Sequence, residues 1–150
     1  MLEVGTKVKN FKLPDADGNL HELNEYLGKR IVIYFYPKDN TSGCTRQACA
    51  FRDNYEAFKE KDVVVIGISK DSPESHKKFI NDYQLPFILL SDETIEVCKY
   101  FGVYVEKSMY GNKYMGVSRS TFVLNQEGVV THVFKKASPK ENASKILKVL

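Results

Sequence analysis

Two of the three cysteines stand five positions apart, Cys44 and Cys49, inside the stretch Tyr34-Phe-Tyr-Pro-Lys-Asp-Asn-Thr-Ser-Gly-Cys44-Thr-Arg-Gln-Ala-Cys49. A β-branched and aromatic run, Arg30 to Tyr36, reads as a central strand, and Pro37 through Ser42 supply the turn and N-cap residues that feed a helix. Cys44 then falls in the first helical turn. The first N–H groups of a helix have no internal acceptor, so they can hydrogen-bond a thiolate or an oxygen held against it. Since the thiolate is the attacking form of cysteine, Cys44 is the candidate nucleophile.

Cys49 sharpens the reading. Regular helix geometry separates the two Cα atoms by about 8.6 Å, from a rise of roughly 7.5 Å and a rotation of about 140°. That exceeds the roughly 7 Å limit for a disulfide without backbone movement. If these thiols exchange electrons, the helix must unwind.

The elements that position this pair follow from pattern. Phe11-Lys-Leu and Leu20-His-Glu-Leu flank Asp15-Ala-Asp-Gly18 and predict a small hairpin at the domain edge, followed by one helical turn over Asn24 to Leu27. After the strand ending at Tyr36, Ala48, Phe51, Tyr55 and Phe58 fall on one face of a single helix that Cys44 extends, while Cys49 lies beside Arg52, Asp53 and Glu56 toward solvent. The apolar run Asp62 to Ser69 predicts a strand covered on both faces. Ser72-Pro73 opens a helix with Phe79, Ile80 and Tyr83 inward. Leu85 to Leu90 returns to the sheet, and Ser91-Asp-Glu-Thr94 caps a helix that ends at Gly102.

Tyr104 to Val117, with Gly111 and Gly116, reads as an irregular aromatic-rich loop. Arg119 to Leu124 and Val129 to Phe134 predict an antiparallel hairpin around Asn125-Gln-Glu-Gly128. Pro139 then opens a final helix with Ala143, Ile146, Leu147 and Leu150 inward. The whole is a mixed three-layer α/β sandwich in one domain, residues 1–150, with no internal repeat.

Composition narrows the function. The chain has 150 residues, 43% hydrophobic and 27% charged, with 22 Lys and Arg against 19 Asp and Glu. The basic residues are scattered, which argues against nucleic acid as a partner. No 18-residue apolar stretch and no signal peptide are apparent, so the cytoplasm is the expected compartment and a membrane is not an expected partner. Free thiols or a redox pair suit that compartment better than a disulfide scaffold. The cysteine spacings do not suit a zinc site, and Cys98 reads as a small buried hydrophobe. His21, His76 and His132 fall on the edge hairpin, an outer helix and a surface strand, which leaves a cysteine–histidine hydrolase without an evident base.

The chain resembles the thioredoxin-fold peroxiredoxins, and closely the peroxiredoxin Q or bacterioferritin comigratory protein group. The most specific segment is Pro37-Lys-Asp-Asn-Thr41-Ser-Gly-Cys44; Tyr34-Phe-Tyr-Pro37, Ser91-Asp-Glu, Phe101-Gly-Val and Arg119-Ser-Thr-Phe carry further likeness, over essentially the whole length. Ser42 replaces the proline usual in the group, a position where serine is acceptable because it can cap.

The resemblance implies a thioredoxin-like α/β/α sandwich with a mixed central sheet and an N-terminal β-hairpin. It also implies a thiol-dependent peroxidase acting on hydrogen peroxide and organic hydroperoxides. Cys44 would be peroxidatic and Cys49 resolving, with Thr41 and the amides of Gly43 and Cys44 at the peroxide, Arg119 supplying fixed positive charge and Pro37 shielding the sulfenic acid. No cofactor or metal is implied. Thioredoxin or a similar dithiol would reopen the disulfide, and the group's habit favours a monomer. Two alternatives stay open at this point: a thioredoxin-like disulfide oxidoreductase, whose chemistry prefers a Cys-x-x-Cys spacing, and a peroxide-sensing switch consumed once per oxidation.

Overall fold

The computed structural model describes residues 1–150. Its centre is a five-stranded mixed sheet. β3 (Arg30–Phe35) lies in the middle, parallel to β4 (Val63–Ser69), which is in turn parallel to β5 (Ile88–Ser91). On its other side β3 runs antiparallel to β8 (Ser120–Leu124), which forms a hairpin with β9 (Val130–Phe134). Side chains alternate across a strand, so each central strand feeds two cores. Ile31, Ile33 and Phe35 enter one core, and Val32, Tyr34 and Tyr36 the other.

The second core is closed by α1 (Ser42–Asp53), α2 (Tyr55–Glu60), α3 (Pro73–Tyr83) and α5 (Asn142–Val149), through Ala48, Phe51, Phe58, Phe79, Ala143 and Ile146. The first is closed by α4 (Glu96–Phe101), the hairpin of β1 (Lys12–Pro14) with β2 (Leu20–Glu22), and a 3₁₀ turn over Leu23–Tyr26. These are the three layers the pattern predicts.

Several expectations are corrected. The helix following β3 is not continuous through Phe58. It stops at Asn54, whose N–H and side-chain amide both donate to the Ala50 carbonyl and whose own carbonyl accepts from Ala57 and Phe58. Residues 104–117 are not irregular: β6 (Tyr104–Met109) and β7 (Asn112–Val117) form a separate antiparallel hairpin. Its turn residues Tyr110 and Gly111 both have positive φ, 52° and 81°, as a two-residue hairpin turn requires. α5 begins at Asn142 rather than at Pro139. α4 is capped, but not from its flanking residue, which is Ile95 in a left-handed conformation. The buried Asp92 carboxylate accepts from the Val97 and Cys98 amides instead.

His76 is the largest departure. It does lie on a helix of the outer layer, α3, but turned inward and fully buried, with Nδ1 2.7 Å from Asp39 Oδ2 and Nε2 3.1 Å from the Leu90 carbonyl. Asp39, also buried, accepts from Tyr36 Oη at 2.6 Å and Ser75 Oγ at 2.8 Å. Its N–H donates to Asp71, whose carboxylate also accepts from Ser69 Oγ. This network ties the β3–α1 turn to the start of α3.

Candidate functional site

The β3–α1 turn is held by that network at Asp39 and turned sharply at Asn40, which has φ 60°. Thr41 then occupies the N-cap position of α1, where its carbonyl accepts the first helical bond from Thr45. Its hydroxyl does not cap. It donates to the Lys38 carbonyl at 2.8 Å, which leaves the oxygen lone pairs free as acceptors. Ser42 makes no cap bond either. The N–H groups of Gly43 and Cys44 have no backbone acceptor, so the helix start presents two unused donors.

Cys44 is buried at 1% exposure, and its Sγ accepts from Arg119 Nη2 at 3.4 Å. Arg119 immediately precedes β8 and, by strand alternation, shares a face with Thr121 and Val123. That alternation aims it at α1. Gly43 permits the approach, since a Cβ there would lie 3.0 Å from Arg119 Nη2 and 3.7 Å from Pro139 Cγ.

Sequence reasoning missed what holds the guanidinium. Arg119 Nη1 donates to Gln47 Oε1 at 2.7 Å, Gln47 Nε2 donates to Asn142 Oδ1 at 3.2 Å, and Thr121 Oγ1 donates to the same oxygen at 2.8 Å. Gln47, Asn142 and Thr121 are all buried, so β8, α1 and α5 join through one polar chain behind the sulfur. The available signal was Gln47 at the i+3 position from Cys44, on the buried stripe of the helix. Lys107 of β6 adds a second cation nearby: burial lowers its pKa, and the Arg119 charge lowers it further. Arg46, the competing cation of the sequence, is exposed and has no carboxylate partner.

Pro37 is half-buried in the turn. Cys49 lies on α1 like Cys44 and is the nearer of the two to solvent, half-buried where Cys44 is buried, and all three cysteines are free thiols. Cys98 is on the other side of the sheet, in the first core. Burial, then the Asp92 charge, pushes its thiol far up, so it stays protonated and poorly nucleophilic. A maleimide reagent is expected to leave Cys98 unlabelled in the native protein while labelling Cys49, with Cys98 reacting only in denaturant. Equal labelling rates by mass spectrometry would contradict this placement.

No three His, Cys, Asp or Glu side chains gather where they could hold a metal ion. A cavity of about 560 Å³ lies between Phe11 and Tyr100 and is lined by neither Cys44 nor Arg119.

Comparison with known sequences decides the family: the AhpC/TSA family profile matches residues 4–133. The chain belongs to the AhpC/TSA family. Within it, the chain falls with the peroxiredoxin Q/Bcp group. Peroxiredoxin Bcp of Bacillus subtilis is 42% identical over 149 residues, covering 99% of this chain and 95% of the relative. A cysteine-to-serine mutant of Xylella fastidiosa PrxQ superimposes with a TM-score of 0.94 at 29% identity, over 99% and 95% of the two chains. The Xanthomonas campestris bacterioferritin comigratory protein, studied for its alkyl peroxide reduction activity, gives 0.88 at 34% identity, over 93% and 88%. This peroxiredoxin accordingly has the thioredoxin-like α/β fold and is a thiol-based peroxidase. No helix is long and apolar enough to cross a membrane.

Proposed function

We propose that Cys44 is the peroxidatic cysteine and Cys49 the resolving cysteine of a two-step reduction of hydrogen peroxide and alkyl hydroperoxides. The observation that carries this reading is the Cys44 sulfur at a helix start with two unused amides, 3.4 Å from a guanidinium that Gln47 fixes from behind. The Cys44 thiolate attacks one peroxide oxygen, the O–O bond breaks, and the other oxygen leaves as water or alcohol after taking a proton. Negative charge moves from sulfur to the leaving oxygen during this step. Arg119 and the Gly43 and Cys44 amides are preorganised donors along that path, and preorganisation is what makes such donors effective. The Thr41 hydroxyl, already donating to Lys38, accepts the hydrogen of the bound peroxide and so orients it. Pro37 shields the sulfenic acid from bulk water.

Cys49 then attacks the sulfenic sulfur, water leaves, and an intramolecular disulfide forms. A thioredoxin-type dithiol reductant restores both thiols by exchange. One catalytic unit, residues 1–150, carries the whole cycle as a monomer in the cytoplasm, and the chemistry is supplied by side chains and backbone without a cofactor.

Replacement of Cys49 by serine tests the assignment. The first equivalent of peroxide is expected to be consumed at an unchanged rate, while steady-state turnover with a thioredoxin system falls at least about 100-fold, since a serine hydroxyl cannot supply the attacking thiolate. Full turnover in this variant would transfer the resolving role to another thiol.

A further inference from the structure

Only two buried side-chain oxygen or nitrogen atoms lack a hydrogen-bond partner, Tyr34 Oη and Ser91 Oγ. Tyr34 is 1% exposed, on the β3 face that packs against α1. Its ring lies nearly flat on Phe51 of α1, with centroids 4.5 Å apart and planes 18° from parallel. Tyr36 flanks it at 5.4 Å and Phe87 meets it edge-on at 6.0 Å. On its other side the sheet gives way: a Cβ at Gly67 would lie 2.8 Å from Tyr34 Cζ. A glycine inside a buried strand weakens it, so β4 accepts a cost to seat this ring.

The hydroxyl itself contributes nothing visible to the packing. Burial pushes the phenol well above its ordinary range, with the nearby Cys44 charge adding to the shift, so the group stays neutral and is left in an aromatic enclosure without an acceptor. Phenylalanine would fill the same space without that penalty. The penalty lies directly beneath the helix that carries both cysteines.

We propose that Tyr34 is a positioning residue for the resolving step: its unpartnered hydroxyl selectively destabilises the helical form of α1, so that residues 42–51 open readily once Cys44 is oxidised. This rests on the assignment of Cys44 and Cys49 above. When α1 unwinds, Phe51 leaves the ring face and water reaches the hydroxyl, so the penalty is relieved only in the open form. The opening rate matters because the Cys44 sulfenic acid has two fates. Attack by the Cys49 thiolate forms the disulfide and releases water. Attack by the sulfenate on a second peroxide instead adds an oxygen to sulfur, giving the sulfinic acid and releasing water or alcohol. Tyr34 biases this partition toward the disulfide.

The test is Tyr34→Phe in the full chain. In the reduced protein, hydrogen exchange at the amides of residues 42–51 is expected to slow by about 5- to 100-fold, the factor corresponding to one unsatisfied buried hydroxyl, while α3 amides are unchanged. In stopped flow, sulfenic acid formation stays within about twofold, disulfide formation slows by a factor in that same 5- to 100-fold range, and less peroxide is needed to inactivate the enzyme by over-oxidation. The thermal midpoint rises. Unchanged exchange and an unchanged resolving rate overturn the proposal, as does a variant that melts lower or does not fold, because either would mean the hydroxyl is stabilising. The exchange experiment uses reduced protein and does not depend on which thiol resolves. A failure of the Cys49 assignment, seen in the Cys49→Ser variant, is therefore distinguishable from a failure of the Tyr34 proposal.

Discussion

Replacing Arg119 with methionine is expected to lower the second-order rate constant for hydrogen peroxide by about 10²- to 10³-fold, the loss typical of removing one preorganised donor from a developing anion. The guanidinium makes two contacts that one methionine cannot reproduce, Nη2 to Cys44 Sγ at 3.4 Å and Nη1 to Gln47 Oε1 at 2.7 Å. The first places positive charge where, in the proposed reaction, negative charge passes from sulfur to the leaving oxygen. The second fixes the orientation, so little reorganisation is needed during reaction. Removing it also leaves the buried Gln47 oxygen without a donor, which adds a stability loss of about 1–3 kcal/mol.

Arg119→Lys separates the two contributions. Lysine keeps the charge but lacks the planar fork that bridges Cys44 and Gln47, so it is expected to recover only part of the rate. Stopped-flow reaction of the reduced protein with peroxide reads the effect directly. A loss below tenfold in the methionine variant would mean that the charge does not act in the transition state.

The second large effect concerns stability. His76→Ala is expected to destabilise the fold by about 3–5 kcal/mol, because it empties the site of a fully buried ring and removes its hydrogen bonds to Asp39 Oδ2 and the Leu90 carbonyl. Nε2 faces a carbonyl, which can only accept, and Nδ1 faces a carboxylate. Both contacts are short and fully buried, so the imidazole is held at both ring nitrogens. For a domain of this size the loss corresponds to a fall of about 6–20 °C in melting temperature. If the pair acts as a unit, Asp39→Ala combined with His76→Ala costs less than the sum of the two single changes. Additive losses in thermal or urea melts would contradict the coupling. The same variants should slow the peroxide reaction, since Asp39 anchors the turn that supplies the Lys38 carbonyl to Thr41.

Much of this site is visible in the sequence because it is local. The β3 run, the turn ending at Thr41 and the helix start at Ser42 lie within a few residues of Cys44, and strand and capping signals act over that range. Arg119 is 75 residues away, and only the family resemblance brought it to the sulfur. Gln47, Asn142, Asp39 and His76 stayed hidden for a different reason. Periodicity reads a polar residue as outward, whereas these four are buried and satisfy one another across elements far apart in sequence. The β6–β7 hairpin escaped notice because most of its side chains are exposed or only half-buried, so no inward–outward alternation marked it as strand.

The interruption at Asn54 has a consequence for how damage from opening is contained. Asn54 closes α1 with bonds to Ala50 and starts α2 with its own carbonyl, so α2 keeps its N-terminal bonds when the preceding turns come apart. Phe58, fully buried, stays docked against the second core. If α1 opens in the resolving step as proposed, the break at Asn54 is expected to stop the opening there, so that each cycle exposes about one helix of backbone to water and proteases rather than the whole face of the domain.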